Sequence, residues 1–253
     1  MSVRALSVRT LVAIVGLLLL AALFARLGSW QLRRADETRN VGARFAAAAA
    51  EPALEHAPDE VTDALRFRRL RVRGSYLPQH QFLLDNQIRD GVAGYQVLTP
   101  LVLADDHRRL LVNRGWVAGD LDRRVLPDVA VDGAQRDIGG RIEHLPRPGM
   151  RLGSVPASAT AATERLAVVV YPTSQELSVL LGEPLLDYEL LLDDAAPDGF
   201  VRDWRAPGLA IERHLAYAGQ WFLLGLGSFG AGIVIALRSW LPRRVRRADG
   251  GGA

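Results

Sequence analysis

The segment LAYAGQWFLLGLGSFGAGIVIAL, residues 215–237, is 23 residues long and contains no charged side chain. About 20 helical residues cross the ~30 Å hydrocarbon core of a bilayer. A second apolar run, TLVAIVGLLLLAALFA at residues 10–25, reaches Trp30 if the stem of Arg26 extends along the lipid toward water. The sequence therefore predicts two transmembrane helices, at residues 10–30 and 214–237.

Each apolar run also has an alternative interpretation. The first run follows the basic stretch MSVRALSVR, which is typical of a cleaved signal peptide. Its end, ALFAR, offers no A-x-A cleavage motif, so we prefer an uncleaved anchor. For the second run the alternative is the core helix of a soluble protein, but the length of the run favours a membrane span.

The charges are distributed unevenly along the chain. Two Arg precede the first run and five follow the second, whereas residues 26–214 carry 24 Arg against 27 acidic side chains. The positive-inside rule then predicts that both termini, residues 1–9 and the basic tail 238–253, are cytoplasmic and that the middle of the chain is exported. An acidic middle segment argues against nucleic-acid binding.

Two residue types are missing from the composition. The absence of Cys excludes disulfides and thiolate metal sites. The absence of Lys, with all 31 basic residues being Arg, is typical of a GC-rich bacterial genome. Nine residues before the first run are too few for an organellar transit peptide, so we expect a multi-pass protein of a bacterial plasma (inner) membrane.

The segment between the two runs begins with helix formers and an acidic, Pro-containing linker, which predicts a juxtamembrane helix and linker over residues 31–64. Alternating and apolar runs bounded by turns then predict short strands. One helix is predicted after a capping box at Thr173 and Glu176, ending at Gly182. The fold class is therefore an α+β membrane protein, in which two transmembrane helices flank one mainly antiparallel β exported domain, residues 65–213, with a short helix. The strands are expected at residues 70–76, 81–87, 95–103, 109–119, 136–145 and 187–193.

Known catalytic motifs are missing, including HExxH, G-x-S-x-G and Walker A. A G-x-G-x-x-G pattern begins at Gly225, but it lies inside the second apolar run instead of after a strand. We interpret it as a helix-packing pattern, with small-xxx-small pairs at Gly227 and Ala231 and at Ser228 and Gly232.

Several polar positions of the exported segment have a structural interpretation. The polar cluster LDNQIRD, residues 84–90, suits turn capping and ion pairing better than catalysis. The stretch NRGW, residues 113–116, is interpreted as core packing around Trp116. The histidines of the segment lack ligand spacing, and we expect them on the solvated surface. They are His56, His80, His107 and His144.

His214 stands at the start of the second apolar run. Helical spacing places His214, Tyr217 and Trp221 on one face, which Ser228 and Gly232 extend. An imidazole at that place is either a metal ligand or a polar residue of the membrane interface, and the sequence pattern leaves both open.

Five blocks in order along the chain resemble the surfeit locus protein 1 family of cytochrome c oxidase assembly factors. The blocks are LGSWQLRR (27–34), GSYLPQHQFLLDNQIRDGVAGYQVLTPL (74–101), LLVNRGWVAGD (110–120), PDGFVRDW (197–204) and HLAYAGQWF (214–222). The resemblance implies an accessory protein that is not an enzyme. It also implies a role in the maturation of haem–copper oxidase subunit I by binding or presenting haem a.

The resemblance further implies that His214 is the ligand of the haem iron, with Tyr217 and Trp221 near the cofactor. The implied partners are cytochrome c oxidase subunit I and the lipid bilayer, with haem a synthase as a further candidate and no nucleic acid. Two alternatives stay open. One is a scaffold or chaperone that binds oxidase subunits without touching haem, and the other is an anchored exported enzyme.

Overall fold

The computed structural model describes residues 7–146, 162–163, 166–205 and 210–240. The chain divides into two compact units. One unit comprises Met1–Gly42 and Pro207–Ala253, and the other comprises Ala43–Ala206. Most of the predicted basic tail and most of the predicted N-terminal segment lie outside the described residues.

Two long helices dominate the first unit. Helix α1 spans Val8–Ala50, and helix α3 spans Ile211–Trp240. Each is long and apolar enough to cross a membrane by length and composition, which indicates a membrane-anchored protein. Helix α1 continues well past residue 30, as predicted, and ends two residues before Pro52, which cannot continue a helix. Helix α3 begins three residues before His214, so this histidine lies in its first turn.

Helices α1 and α3 pack against each other along a seam of half-buried and buried residues. The seam positions of α3 alternate in steps of four and three residues, and so do those of α1. This 3.5-residue spacing is that of a left-handed helix pair, in which the contact face stays turned toward the partner. The seam consists of Leu17, Ala21, Phe24, Gly28 and Gln31 of α1 and His214, Ala218, Trp221, Gly225, Ser228 and Gly232 of α3.

The second unit is built on one eight-stranded sheet among the described residues, in the order β1-β5-β8-β4-β3-β2-β7-β6. Its strands are β1 Arg69–Tyr76, β2 Gln81–Arg89, β3 Val92–Leu103, β4 Arg109–Ala118, β5 Gln135–Glu143, β6 Ala162–Thr163, β7 Leu166–Val169 and β8 Leu185–Leu192. Only β2–β7 and β4–β8 are parallel, so the predicted mainly antiparallel sheet is confirmed.

An extra pairing bends part of this sheet into a ring. Strand β1 pairs with β5 on one side and with the end of β3 on the other, where Gly74 lies opposite Leu103. Strands β1, β5, β8, β4 and β3 therefore close on themselves. Inside the ring lies the largest apolar cluster, made of alternating positions such as Leu110, Val112, Tyr188 and Leu190.

A short helix covers another part of the sheet. Helix α2 spans Ser174–Leu181, and the predicted capping box and left-handed Gly182 cap are both present. Leu177 and Leu181 bury its apolar face against strand residues, including Leu98 and Leu111. The helix and six of the strands are thus where the sequence predicted them, whereas β6 and β7 were not predicted.

Candidate functional site

The imidazole of His214 is held from the other helix of the pair. Its Nδ1 lies 2.8 Å from Oε1 of Gln31, 183 residues earlier in the chain. Both side chains are partly buried in the seam. Among the described residues, the imidazole of His214 makes no other hydrogen bond, so its Nε2 has no protein partner there.

The next aromatic side chains along the seam close the space between the helices. The rings of Phe24 and Trp221 stack with centroids 5.7 Å apart and planes inclined by 23°. A Cβ added at Gly28 would lie 2.9 Å from the ring of Phe222, which shows how closely the helices approach. A planar cofactor therefore has no room between the helices at this depth.

The residues predicted to share one face of α3 do not all contact α1. His214, Trp221, Ser228 and Gly232 all lie in the seam, whereas Tyr217 points away from it and is 53% exposed. The proposed small-xxx-small pairs are also divided. Ser228 and Gly232 lie in the seam, whereas Gly227 has no atom within 4 Å of its would-be Cβ and Ala231 is exposed, so this second pair does not pack against α1.

The other predicted polar positions have structural roles. Asp85 accepts from the backbone of Asn86 and pairs with Arg123, and Arg89 lies 3.7 Å from Asp90, so turn capping and ion pairing are confirmed. Among the described residues, no three His, Asp or Glu side chains cluster in a way that could hold a metal ion.

The second unit carries a groove of about 420 Å³ beside the β2–β3 hairpin. The segment after Asp198 forms one wall, because Val201 bridges to Trp116 and the indole of Trp204 donates to the carbonyl of Leu192 at 2.8 Å. Arg89 and Asp203 face each other at 3.6 Å, with side chains each about one-third exposed. The groove is lined by Ile88, Arg89, Asp90, Gln96, Leu191, Asp203, Trp204 and Arg205.

Behind the groove, a chain of polar side chains enters the sheet. The amide of Asn113 donates to Oε1 of Gln96 and to Oε2 of Glu189, both at 3.0 Å. Glu189 is only 2% exposed. Burial raises the pKa of its carboxyl to about 8, the hydrogen bond from Asn113 acts in the opposite direction, and the charge of Glu143 adds to the rise.

Arg114, the neighbour of Asn113, is the largest charged side chain buried in the core, at 2% exposure. Its Nε donates to the carbonyl of Asp198 at 2.7 Å, and its Nη1 donates to Oε1 of Gln81 and to the carbonyl of Val129. Burial lowers the pKa of this guanidinium from its usual value. The prediction placed Trp116 of NRGW in the core. In the structure Trp116 is only partly buried, and Arg114 is the buried side chain of the two.

Comparison with known proteins connects these features to a family. The sequence matches the SURF1 family over residues 18–226. It is 31% identical over 107 residues to a SURF1-like protein of Dictyostelium discoideum. That alignment covers 36% of this chain and 37% of the relative. It is 27% identical over 106 residues to the cytochrome oxidase assembly protein SHY1 of Saccharomyces cerevisiae. That alignment covers 40% of this chain and 26% of SHY1.

The aligned regions thus span well under half of either curated relative. The family match is much longer, since it runs from within α1, through the whole sheet, to Leu226 in α3. Because it covers far more than half of the sequence, the chain belongs to the SURF1 family.

Proposed function

We propose that this protein acts in the assembly of cytochrome oxidase by binding haem a through His214 and presenting it to subunit I. The observation that supports the proposal is the state of His214, whose Nδ1 is bonded to Gln31 while its Nε2 has no partner among the described residues. An imidazole with one bonded and one open nitrogen is the arrangement found in metal-ligating histidines. The name of the yeast relative, a cytochrome oxidase assembly protein, supports the proposed role in oxidase assembly.

The residues near His214 fit a haem that lies against the outside of the helix pair. The seam itself is filled by Phe24 and Trp221, so an apolar slot between the helices is not available at that depth. Leu215 and Tyr217 are 42% and 53% exposed and offer apolar and aromatic surface beside His214. A bound haem would supply an iron that Nε2 of His214 could ligate.

We further propose a bacterial plasma membrane location with both termini in the cytoplasm. Two Arg precede α1 and five follow residue 237, which supports this orientation. The sheet unit would then be exported, and subunit I with haem a synthase would meet the protein at the outer side of the bilayer.

The decisive experiment is purification of the full chain, in detergent, from cells that make haem a. Wild-type protein should carry haem with a Soret band, and His214→Ala should lose most of it. The control is His56→Ala, since His56 is 86% exposed at its side chain and far from α3 in sequence. Equal haem content and an unchanged spectrum in His214→Ala would refute the ligand assignment.

A scaffold without haem contact is the second candidate, and the groove beside the β2–β3 hairpin favours it. Ile88 lines the groove, is 75% exposed and lies among charged side chains, which include Arg89 and Asp203. Such mixed surfaces are typical of protein-binding sites. Under this hypothesis the groove binds a segment of an oxidase subunit.

The two candidates are separated by paired variants. Ile88→Glu should reduce cross-linking to subunit I and leave haem content unchanged if the groove binds the subunit. Val179→Glu is the matched control, because Val179 is an exposed apolar residue of α2, which lines no part of the groove. Wild-type protein that cross-links to subunit I but contains no haem would favour the scaffold.

A further inference from the structure

We infer that Gln31 is a positioning residue for His214, which it holds as the Nδ1-protonated tautomer with Nε2 left as the ligating nitrogen. This inference rests on the proposed function for the identity of what Nε2 binds. The tautomer itself is a property of the helix pair and can be measured without any ligand.

The hydrogen bond between the two side chains is defined by the register of the helices. Gln31 lies seven residues after Phe24, and His214 lies seven residues before Trp221. In an antiparallel pair with a seven-residue repeat, the ring stack of Phe24 and Trp221 therefore sets Gln31 opposite His214. The 2.8 Å contact between Gln31 and His214 is therefore positioned by the ring stack of Phe24 and Trp221, two helical turns away.

The chemistry of the two groups decides the tautomer. A side-chain carbonyl oxygen has only lone pairs, so the nitrogen facing it must donate a proton. A neutral imidazole has a single N–H, and with Nδ1 protonated the lone pair is on Nε2. Metal-bound histidines use the same device, because the partner of the second nitrogen fixes both the ring orientation and the tautomer.

A competing explanation is that Gln31 only helps to hold the helices together. In that case its loss would loosen the seam without selecting a tautomer. Gln31→Glu separates the two roles, because a carboxylate also accepts from Nδ1–H and should preserve the tautomer. Gln31→Leu keeps the volume of the side chain but removes the acceptor.

The first measurement uses the haem-free full chain in detergent micelles with ¹⁵N-labelled histidine, with His214→Ala to assign the signals. We expect protonated Nδ1 and unprotonated Nε2 at His214 in the wild type and in Gln31→Glu. In Gln31→Leu the imidazole should become a mixture of tautomers. Ser29→Ala is the control, because the hydroxyl of Ser29 bonds only to Ala25 of its own helix and should not affect His214.

The second measurement titrates the same proteins with haemin. Loss of a residue that orients a metal ligand typically weakens binding about 10- to 100-fold, so Gln31→Leu should fall in this range and Gln31→Glu should not. Protonated Nε2 in the wild type, or an unchanged tautomer and affinity in Gln31→Leu, would overturn the inference. If the expected tautomer depends on Gln31 but the wild type does not bind haemin, the haem role fails and the positioning of His214 stands.

Discussion

Nδ2 of Asn113 lies 3.0 Å from Oε2 of Glu189, and both side chains are buried inside the sheet of the second unit. The two residues lie diagonally across the parallel pair β4–β8, in which Leu111 is in register with Glu189 and Asn113 with Leu191. A buried carboxylate is strongly disfavoured unless it is paired with a cation, and Asn113 offers only a neutral amide. Glu189 therefore belongs to the folded structure as a protonated, hydrogen-bonded group.

We expect Glu189 to make stability depend on pH. In the unfolded chain a Glu carboxyl titrates near pH ~4.3, whereas burial raises the pKa of Glu189 to about 8 in the fold. Between these values the folded state holds a proton that the unfolded state has released, so stability falls as pH rises. The loss should reach at least about 1 kcal/mol between pH 5 and pH 8.

Thermal unfolding of the full chain in detergent at several pH values tests this expectation. Glu189→Gln keeps the shape and an acceptor for Asn113 but cannot ionise, so its melting temperature should change less than that of the wild type over this interval. Glu60→Gln, at an exposed carboxylate of a loop, should behave as the wild type does. Parallel curves for wild type and Glu189→Gln would contradict the assignment.

Arg114 should be among the most sensitive positions of the sheet unit. Its guanidinium joins Gln81, the carbonyl of Val129 and the carbonyl of Asp198, and its cation lies 5.1 Å from the ring centroid of Phe200. Leaving a buried polar group without its partner typically costs about 1–3 kcal/mol, and the loss of Arg114 would leave several acceptors unpaired.

We therefore expect Arg114→Met to lower the free energy of unfolding by about 3–5 kcal/mol, the sum of several such losses. Arg114→Lys should recover little, since a single ammonium cannot reproduce the planar set of donors. Arg71→Met, at an exposed position of β1, is the control. Denaturant unfolding of the detergent-solubilised chain measures the difference, and an Arg114→Lys variant as stable as the wild type would show that the network is unimportant.

Features that depend on residues close in sequence could be predicted, whereas contacts between residues far apart in sequence could not. The capping box of Thr173 and the left-handed Gly182 are local patterns, and both were predicted correctly. The heptad seam also exists in the sequence, but apolar residues on all sides of a membrane helix conceal which face meets its partner. The bond between Gln31 and His214 joins residues 183 positions apart, and no local pattern indicates it.

The buried polar residues were missed for a related reason. Arg114 stands between Asn113 and Gly115, and Glu189 stands between Tyr188 and Leu190. A charged side chain in a strand is expected on the solvent-facing side, so the sequence pattern suggests a surface position for both. Both are buried by contacts that are distant in sequence, because Arg114 meets Val129 and Asp198, and Glu189 meets Asn113 of another strand. The signal that could have revealed Arg114 is its place inside the block LLVNRGWVAGD, where few other charges occur.

The approach of the two long helices allows a direct cross-linking test. A Cβ added at Gly232 would lie 3.7 Å from Cβ of Leu17, within the ~3.5–4.5 Å that disulfides require. The chain has no cysteine, so a Leu17→Cys, Gly232→Cys double variant carries no competing thiol. We expect it to lose its free thiols on mild oxidation as a monomer. Leu18→Cys with Gly232→Cys should keep them, since Leu18 is 43% exposed.

The same cross-link measures what the glycines of α3 contribute to the seam. A side chain at Gly225 would press on the carbonyl of Ala21 and on Phe24, both 3.4 Å from its Cβ, whereas Gly227 has nothing within 4 Å. Overpacking a tight contact costs about 1–3 kcal/mol, so Gly225→Leu should lower the yield of the cross-link several-fold. Gly227→Leu adds the same side chain to the same helix and should leave the yield unchanged. Equal losses in both variants would mean that a leucine disturbs α3 itself, and that close packing at Gly225 does not hold the helices together.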